Sequence, residues 1–266
     1  MEFKEVIGGR RDTRLFVPWK PVERGKIQKM LEAARLSSRA VNVPYAKAVV
    51  TYRDRLSKEE RDSLKTPMAS VEYDLAPVYI FWYFDMDAVG AAIRDRKWPT
   101  VASGALVDVG ALNPTHGWSR RYVQDVVLPE VLTPGLSRGI QRGGNADAAL
   151  AMEVALLTGV DEGLGVCLVP FDEEAAKQLF GVPDIWEPVL ALLVGYAAES
   201  PEGAGQNPVP STEDTAFEKD LDSPFQRDEA TQEKLRAEGM LQREAPMPWR
   251  KEEVRRLGRM FGLETD

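Results

Sequence analysis

Cysteine and histidine each occur once, as Cys167 and His116. A single cysteine excludes an intrachain disulfide and a cysteine-rich metal site, and it suits a reducing compartment. A single histidine leaves no multi-histidine metal centre and makes a Ser/His/Asp triad hard to build. His116 stands in a turn-rich loop, Asn113-Pro114-Thr115-His116-Gly117-Trp118. Polar surface and substrate contact both stay open for it. Positive charge is also short: 34 Lys and Arg against 42 Asp and Glu give a net charge of −8 and a pI near 5.0. That balance argues against general binding of nucleic acid or of an anionic membrane. No apolar run has the length of a membrane span. Glu2, Lys4 and Glu5 stand where a signal peptide would need apolar residues. The expectation is a soluble, cytoplasmic, metal-free protein. Its 266 residues, 44% of them hydrophobic, suffice for a sizeable core in one or two domains.

Against that acidic background stands a basic stretch, Gly8-Gly9-Arg10-Arg11-Asp12-Thr13-Arg14-Leu15-Phe16. Three guanidinium groups so close repel one another unless an anion sits among them, and Arg suits forked contacts with phosphate. A solvated basic turn is the alternative.

The pattern predicts helices over Glu2 to Ile7, Val22 to Ser37 and Ser57 to Leu64, the last with Ser57 as a cap. Ala46 to Tyr52 reads as a strand. Pro77 to Phe84 is the strongest strand, apolar on both faces as a covered central strand should be. Residues from about 86 to 143 are broken by prolines, with Ser119 to Leu128 as one helical stretch. Asn145 to Val160 has helical spacing and so wide an apolar stripe that it reads as a buried helix, at a subunit interface if not in the core. Gly163-Leu164-Gly165 ends it. Val166 to Phe171 and Pro188 to Tyr196 read as strands, with a helix from Asp172 to Phe180 between them capped by Asp172. From 199 to 248 the chain turns polar, with one charged helix near Asp228 to Glu238. A last amphipathic helix covers Glu252 to Phe261. The expected division is a body at 1–200, an arm at 201–246 that wraps the body or a partner subunit, and a returning segment at 247–266. Helices alternating with a few covered strands fit an α+β or three-layer body.

Four pieces stand in order: Arg10-Arg11-Asp12-Thr13-Arg14; Ser37-Ser38 at a helix end; a long helix running into Gly163-Leu164-Gly165-Val166-Cys167; and a strand ending in Val194-Gly195-Tyr196. This order resembles the nitroreductase family of FMN-dependent oxidoreductases. That family has Arg-Arg-Ser-x-Arg-x-Phe, then Pro-Ser-x-x-Asn-x-Gln-Pro-Trp, then Gly-Leu-Gly-Thr-Cys, then an apolar strand ending in Gly-Tyr. A basic element near the C-terminus has its counterpart at Pro248-Trp249-Arg250. The resemblance implies an α+β, three-layer fold with a mainly antiparallel central sheet. It implies a homodimer with FMN at the subunit interface, NADH or NADPH as electron donor, and a nitroaromatic, quinone or enone-like acceptor. By position, Arg10, Arg11 and Arg14 would hold the FMN phosphate and ribityl chain with Asp12 beside them, and Arg250 would complete that grip. Ser37 and Ser38, with Arg39 following, would face the flavin, in many members from the partner subunit. Gly163, Leu164 and Gly165, then Leu168 and Val169, would lie along the isoalloxazine edge. A Gly-x-Gly admits close approach of a flat ring, although it also ends helices. Cys167 reads as a packed small hydrophobe.

There are departures from the family pattern. Asp12 stands where the family has Ser, a pattern also found in the flavin-cleaving relatives that make dimethylbenzimidazole. Val41 and Val43 stand where the family has Asn and Gln. Two alternatives therefore stay open beside a reductase. One is a specialised flavin-dependent dehydrogenase, oxidase or oxygen-using enzyme of a biosynthetic pathway. The other is a non-catalytic FMN-binding partner subunit.

Overall fold

In the computed structural model the described residues are 1–39, 44–88, 120–122, 125–126, 133–244 and 246–263, with side chains of the long helix described from Gly144 onward. Val41, Val43 and His116 lie outside them, as does nearly all of 86–132. In chain order, α1 (Phe3–Gly9) and α2 (Arg24–Arg35) precede β1 (Ala46–Tyr52). Next come α3 (Lys58–Leu64), α4 (Val71–Leu75) and β2 (Val78–Asp85). The long α5 (Thr133–Asp161) leads into β3 (Gly165–Val169), α6 (Glu173–Phe180) and β4 (Trp186–Gly195). The last part holds α7 (Pro201–Ala204), α8 (Thr212–Thr215), α9 (Glu229–Ala237) and α10 (Arg250–Phe261). Local chemistry sets several boundaries. The Ser57 hydroxyl accepts the Glu60 N–H to start α3, Asp172 accepts the Ala175 N–H to start α6, and Gly181 ends α6 at a φ of 64°.

The four strands form one antiparallel sheet in the order β1-β2-β4-β3. Successive β2 side chains alternate between the two faces, and both faces are covered. Tyr79, Phe81 and Tyr83 pack with Leu193, Cys167 and Val169 against Leu64, Tyr73, Phe171 and Leu257. Val78, Ile80 and Trp82 pack with Leu192 and Val194 against Met30 of α2 and Ala151, Met152, Ala155 and Leu156 of α5. The result is three layers, with α2 and α5 on one side and α3, α4, α6 and α10 on the other.

Helix α5 lies very close to the sheet. A Cβ added at Gly144 would come within 1.7 Å of the Phe84 ring. The helix is also longer than its apolar period indicates, because Pro134 fits its first turn, where a missing N–H costs nothing. Its stripe is not wholly buried. Ala148, Ala151, Met152, Ala155 and Leu156 face the sheet, but Ala146, Ala149 and Leu150 are exposed. The buried reading thus holds in the single chain for the side that the sheet covers, and the outer side stays exposed. α4 was not expected; five residues are too few to show a helical period.

After β4 the chain is mostly exposed, and α9 has no buried residue. It is tied back at a few points. Gln206 pairs with Glu244, Lys4 with Glu238, and Gly8 packs so tightly on the backbone of Gly239 and Met240 that a Cβ would lie 1.9 Å from the Gly239 oxygen. α10 then returns Leu257 to the core. Among the described residues no helix is long and apolar enough to cross a membrane.

Candidate functional site

The arginine stretch is laced to the ends of β3 and β4. Asp12 bridges Val166, and the Thr13 N–H donates to the Val166 carbonyl at 2.8 Å. Farther on, the Ala198 N–H donates to the Leu15 carbonyl and the Val17 N–H to the Tyr196 carbonyl, both at 2.8 Å. The glycine pair serves this lacing. Gly163, at a φ of 75°, closes α5: its N–H donates to Val160 and the Leu164 N–H to Gly159, each at 2.9 Å, the two bonds of a Schellman cap. Gly165 sits against Thr13, whose Oγ1 would be 2.7 Å from any added Cβ. Gly163 is thus required by its own backbone conformation and Gly165 by the Thr13 side chain.

The four guanidinium groups differ in what compensates them. Arg10 reaches Asp12 at 3.4 Å. Arg14 pairs with Glu72 at 2.8 Å; burial works against its charge, but that carboxylate, with Cys167 and Asp12 adding, holds the group above its usual range. Arg250 pairs with Glu199 and, at 2.8 Å, with Glu253, and it too is held above its usual range despite burial. Arg11 is different. Its Nη1 donates to the Gly8 and Arg10 carbonyls at 2.6 and 2.8 Å and its Nη2 to the Gln242 side chain at 2.6 Å. Its Nε is buried with no partner. Burial, with repulsion from Arg10 added, pushes its pKa below the usual range. Among the described residues Arg11 has no carboxylate partner.

Three adjoining depressions meet at Arg11. The largest, about 510 Å³, is walled by Arg10, Arg11, Asp12 and Arg14 with Glu153 and Leu157 of α5. A second, about 260 Å³, runs from Arg11 and Asp12 to Gly163, Leu164 and Gly165. The third is lined by Arg11, Gln242 and Arg243. Ser37 and Arg39 lie elsewhere, at a cavity of about 200 Å³ with Tyr45, Trp82, Asp147 and Ala151. Burial pushes the Tyr45 phenol there up to about 12, with Asp147 adding to the shift. This cavity shares no wall residue with the Arg11 depressions. Its α5 wall, Asp147 and Ala151, is turned about 120° around the helix from Glu153 and Leu157. Ser38 is exposed and lines none of these. Leu168 is half-buried against the α2–α5 side of the sheet, while Val169 is buried in the opposite core and Cys167 is fully buried. So the structure brings Arg10, Arg11, Asp12 and Arg14 together with Gly163 to Gly165. It leaves Ser37 and Arg39 apart and turns Val169 and Arg250 to other partners. Glu72, Glu199 and Gln242 were missed, since their importance comes from partners 58, 185 and 231 residues away in sequence.

Residues 135–196, which hold most of α5 with β3, α6 and β4, match the nitroreductase family model. Over that stretch the chain is similar to the nitroreductase family. Solved structures share the fold at low identity. A protein described as a nitroreductase in complex with FMN, from Exiguobacterium sibiricum, aligns at TM-score 0.60 and 19% identity, over 82% of this chain and 98% of its own. One described as an NAD(P)H:FMN oxidoreductase from Staphylococcus epidermidis aligns at 0.59 and 19%, over 82% and 95%. An enone reductase of gut-bacterial fatty acid saturation aligns at 0.57 and 18%, over 80% and 95%. No curated protein matches the sequence. Within the nitroreductase family match lies the Gly163 to Gly165 turn. Arg10 to Arg14, Ser37 to Arg39 and Arg250 lie outside it, so their roles rest on geometry.

Proposed function

We propose that this protein is an FMN-dependent oxidoreductase that takes hydride from NADH or NADPH and passes electrons to a small organic acceptor of the nitroaromatic, quinone or enone-like kind. The observation that carries the reading is Arg11, a half-buried cation with a buried, unpartnered Nε and no carboxylate among the described residues. Such a charge is costly to hold unless an anion completes it. A phosphate monoester fits, because a guanidinium offers it forked, charge-assisted hydrogen bonds. The depression beside it, about 510 Å³, falls within the range of roughly 300–1,000 Å³ common for small-molecule clefts.

In this reading Arg11 takes the phosphate directly. Arg10 and Arg14, already paired with Asp12 and Glu72, supply positive potential from the same wall. FMN, once bound, supplies the redox chemistry itself, which explains why no histidine base or nucleophile is needed. The buried Leu164 and the Gly163 to Gly165 backbone give the adjoining depression a partly apolar wall that would keep water from the ring. Asp12 lines both depressions and is the carboxylate nearest to Arg10. Ser37 and Arg39 reach such a ligand only from a second copy of the chain, since their cavity is turned away from Arg11 in the same subunit. The solved relatives described as an FMN complex and an NAD(P)H:FMN oxidoreductase support the cofactor and donor, and the enone reductase supports one acceptor class.

The test is a visible spectrum of the purified protein with and without added FMN, followed by anaerobic titration with NADH and NADPH. Saturable flavin binding and bleaching by one nicotinamide are expected. A protein that retains no flavin absorbance once unbound FMN has been removed would end the proposal.

A further inference from the structure

Glu199 sits just beyond β4 with its side chain 4% exposed. One carboxylate oxygen accepts the backbone N–H groups of Arg14 and, at 2.9 Å, of Leu15. The other accepts from Nη2 of Arg250. Nη1 of Arg250 donates at 2.8 Å to Glu253, whose second oxygen accepts the Ser200 N–H at 2.8 Å. An unbroken line of hydrogen bonds therefore runs from the start of α10 through two buried carboxylates into the backbone of the arginine stretch. The triad of one cation and two anions carries a net negative charge, and Arg250 is itself only 15% exposed. Arg250 contributes nothing to the walls of the depressions that Arg11 lines. A dianion approaching Arg250 would have to displace a buried carboxylate and leave it unpaired, which is strongly unfavourable.

We infer that Arg250 is not a phosphate ligand in this protein but the counter-ion of Glu199, and that Glu199 and Arg250 are positioning residues. Together they fix the backbone at Arg14 and Leu15 and so present Arg11 to the anion. The inference rests on the FMN reading for its ligand but not for its geometry. Its logic is that of charge pairs. Removing Arg250 alone leaves the Glu199 carboxylate buried, unpaired and close to the phosphate-binding stretch. Neutralising both removes the penalty, and a glutamine at 199 still offers a carbonyl oxygen to the two N–H groups.

Two experiments on the full-length protein test this. The first titrates FMN, and in parallel riboflavin, into the wild type, Arg250→Gln and the double variant Glu199→Gln/Arg250→Gln, with thermal melts of each. Arg250→Gln should bind FMN on the order of ten- to a hundredfold more weakly, and the double variant should recover to within about fivefold of wild type with its FMN-to-riboflavin preference intact. A double variant as weak for FMN as Arg250→Gln, with riboflavin binding unchanged, overturns the inference. The second needs no variant: phenylglyoxal labelling of the wild type, mapped by mass spectrometry. Arg250 should be protected with and without FMN, and Arg11 should become protected only with FMN. An Arg250 that labels freely and is then shielded by FMN overturns the inference, whatever the folding of the variants. A wild type that binds no FMN defeats the cofactor reading instead, and protection of Arg250 in that same protein still reports its pairing with Glu199.

Discussion

At the scale of single residues, Arg11 and Cys167 are opposite cases of burial. Arg11 is charged, half-buried and uncompensated, so its place in the free protein costs stability that a ligand can return. Arg11→Met should therefore weaken FMN binding by about 1.5–3 kcal/mol, roughly ten- to a hundredfold, while leaving the melting temperature of the flavin-free protein unchanged or higher. Fluorescence titration and calorimetry check the two halves. An Arg11→Met protein that binds FMN like the wild type would refute the assignment of the phosphate to this residue. Cys167 is neutral and fully buried, and burial above all pushes its thiol up to about 12. The unfolded thiol ionises near 9.0. Between those values the folded state holds a proton that the unfolded state has released. The stability this contributes is complete below pH 9 and is lost as pH rises toward 12. Tyr45, also pushed up to about 12, adds to the same alkaline loss. Denaturant unfolding between pH 8 and 11 should show the decline setting in above pH 9.0, and Cys167→Ala should make it shallower there by about 1.4 kcal/mol per pH unit. An unchanged slope would show that the thiol does not titrate with unfolding. Native Cys167 should also resist alkylation near pH 8, since the thiolate is the reactive form.

At the scale of elements, the contact between β3 and the arginine stretch is the joint on which the site depends. Gly165→Ala would drive a methyl group to within 2.7 Å of the Thr13 hydroxyl. Overpacking of that kind costs about 1–3 kcal/mol, and here the shift would pass directly to Asp12 and Arg11. Gly163→Ala meets no neighbour but keeps a φ of 75°, at a cost of about 1 kcal/mol. Gly165→Ala should thus lower both stability and FMN affinity, and Gly163→Ala mainly stability. Equal effects on affinity would remove the special role of the Thr13 contact. The same joint shows what could be read from the sequence. β1 was read with its observed ends, and β2, β3, α3 and α6 to within a residue or two, because apolar runs, β-branched residues and capping side chains are local signals. The grouping of Arg10 to Arg14 with Gly163 to Gly165 was legible only through the resemblance. The separate commitments of Arg14 and Arg250 were not legible at all. Each depends on a carboxylate brought close by the tertiary fold, and nothing near Glu72 or Glu199 in sequence marks it.

For the whole molecule, α5 poses the question that one chain leaves unanswered. Its sheet side is saturated with Ala151, Met152, Ala155 and Leu156, yet Ala146, Ala149 and Leu150 continue an apolar stripe on the outside, with Leu150 47% exposed. Leu157, on the same side, walls the Arg11 depression. An apolar stripe at helical spacing on the outer face of a long helix is the kind of surface that a second helix covers. A two-fold pairing of α5 with its copy would bury it, and the FMN reading requires that such a pairing bring one subunit's Ser37 end toward the other's Arg11 depression. The protein should then be a dimer in solution, and Leu150→Glu should convert it to a monomer by placing a charge in the centre of the contact. Light scattering after size exclusion reads the mass. The same variant should lose FMN affinity even though residue 150 lines neither the Arg11 depressions nor the Ser37 cavity. Monomerisation with FMN affinity intact would mean that one chain holds the cofactor alone. A wild type that is itself monomeric would mean that the outer stripe of α5 is covered by something other than a second copy.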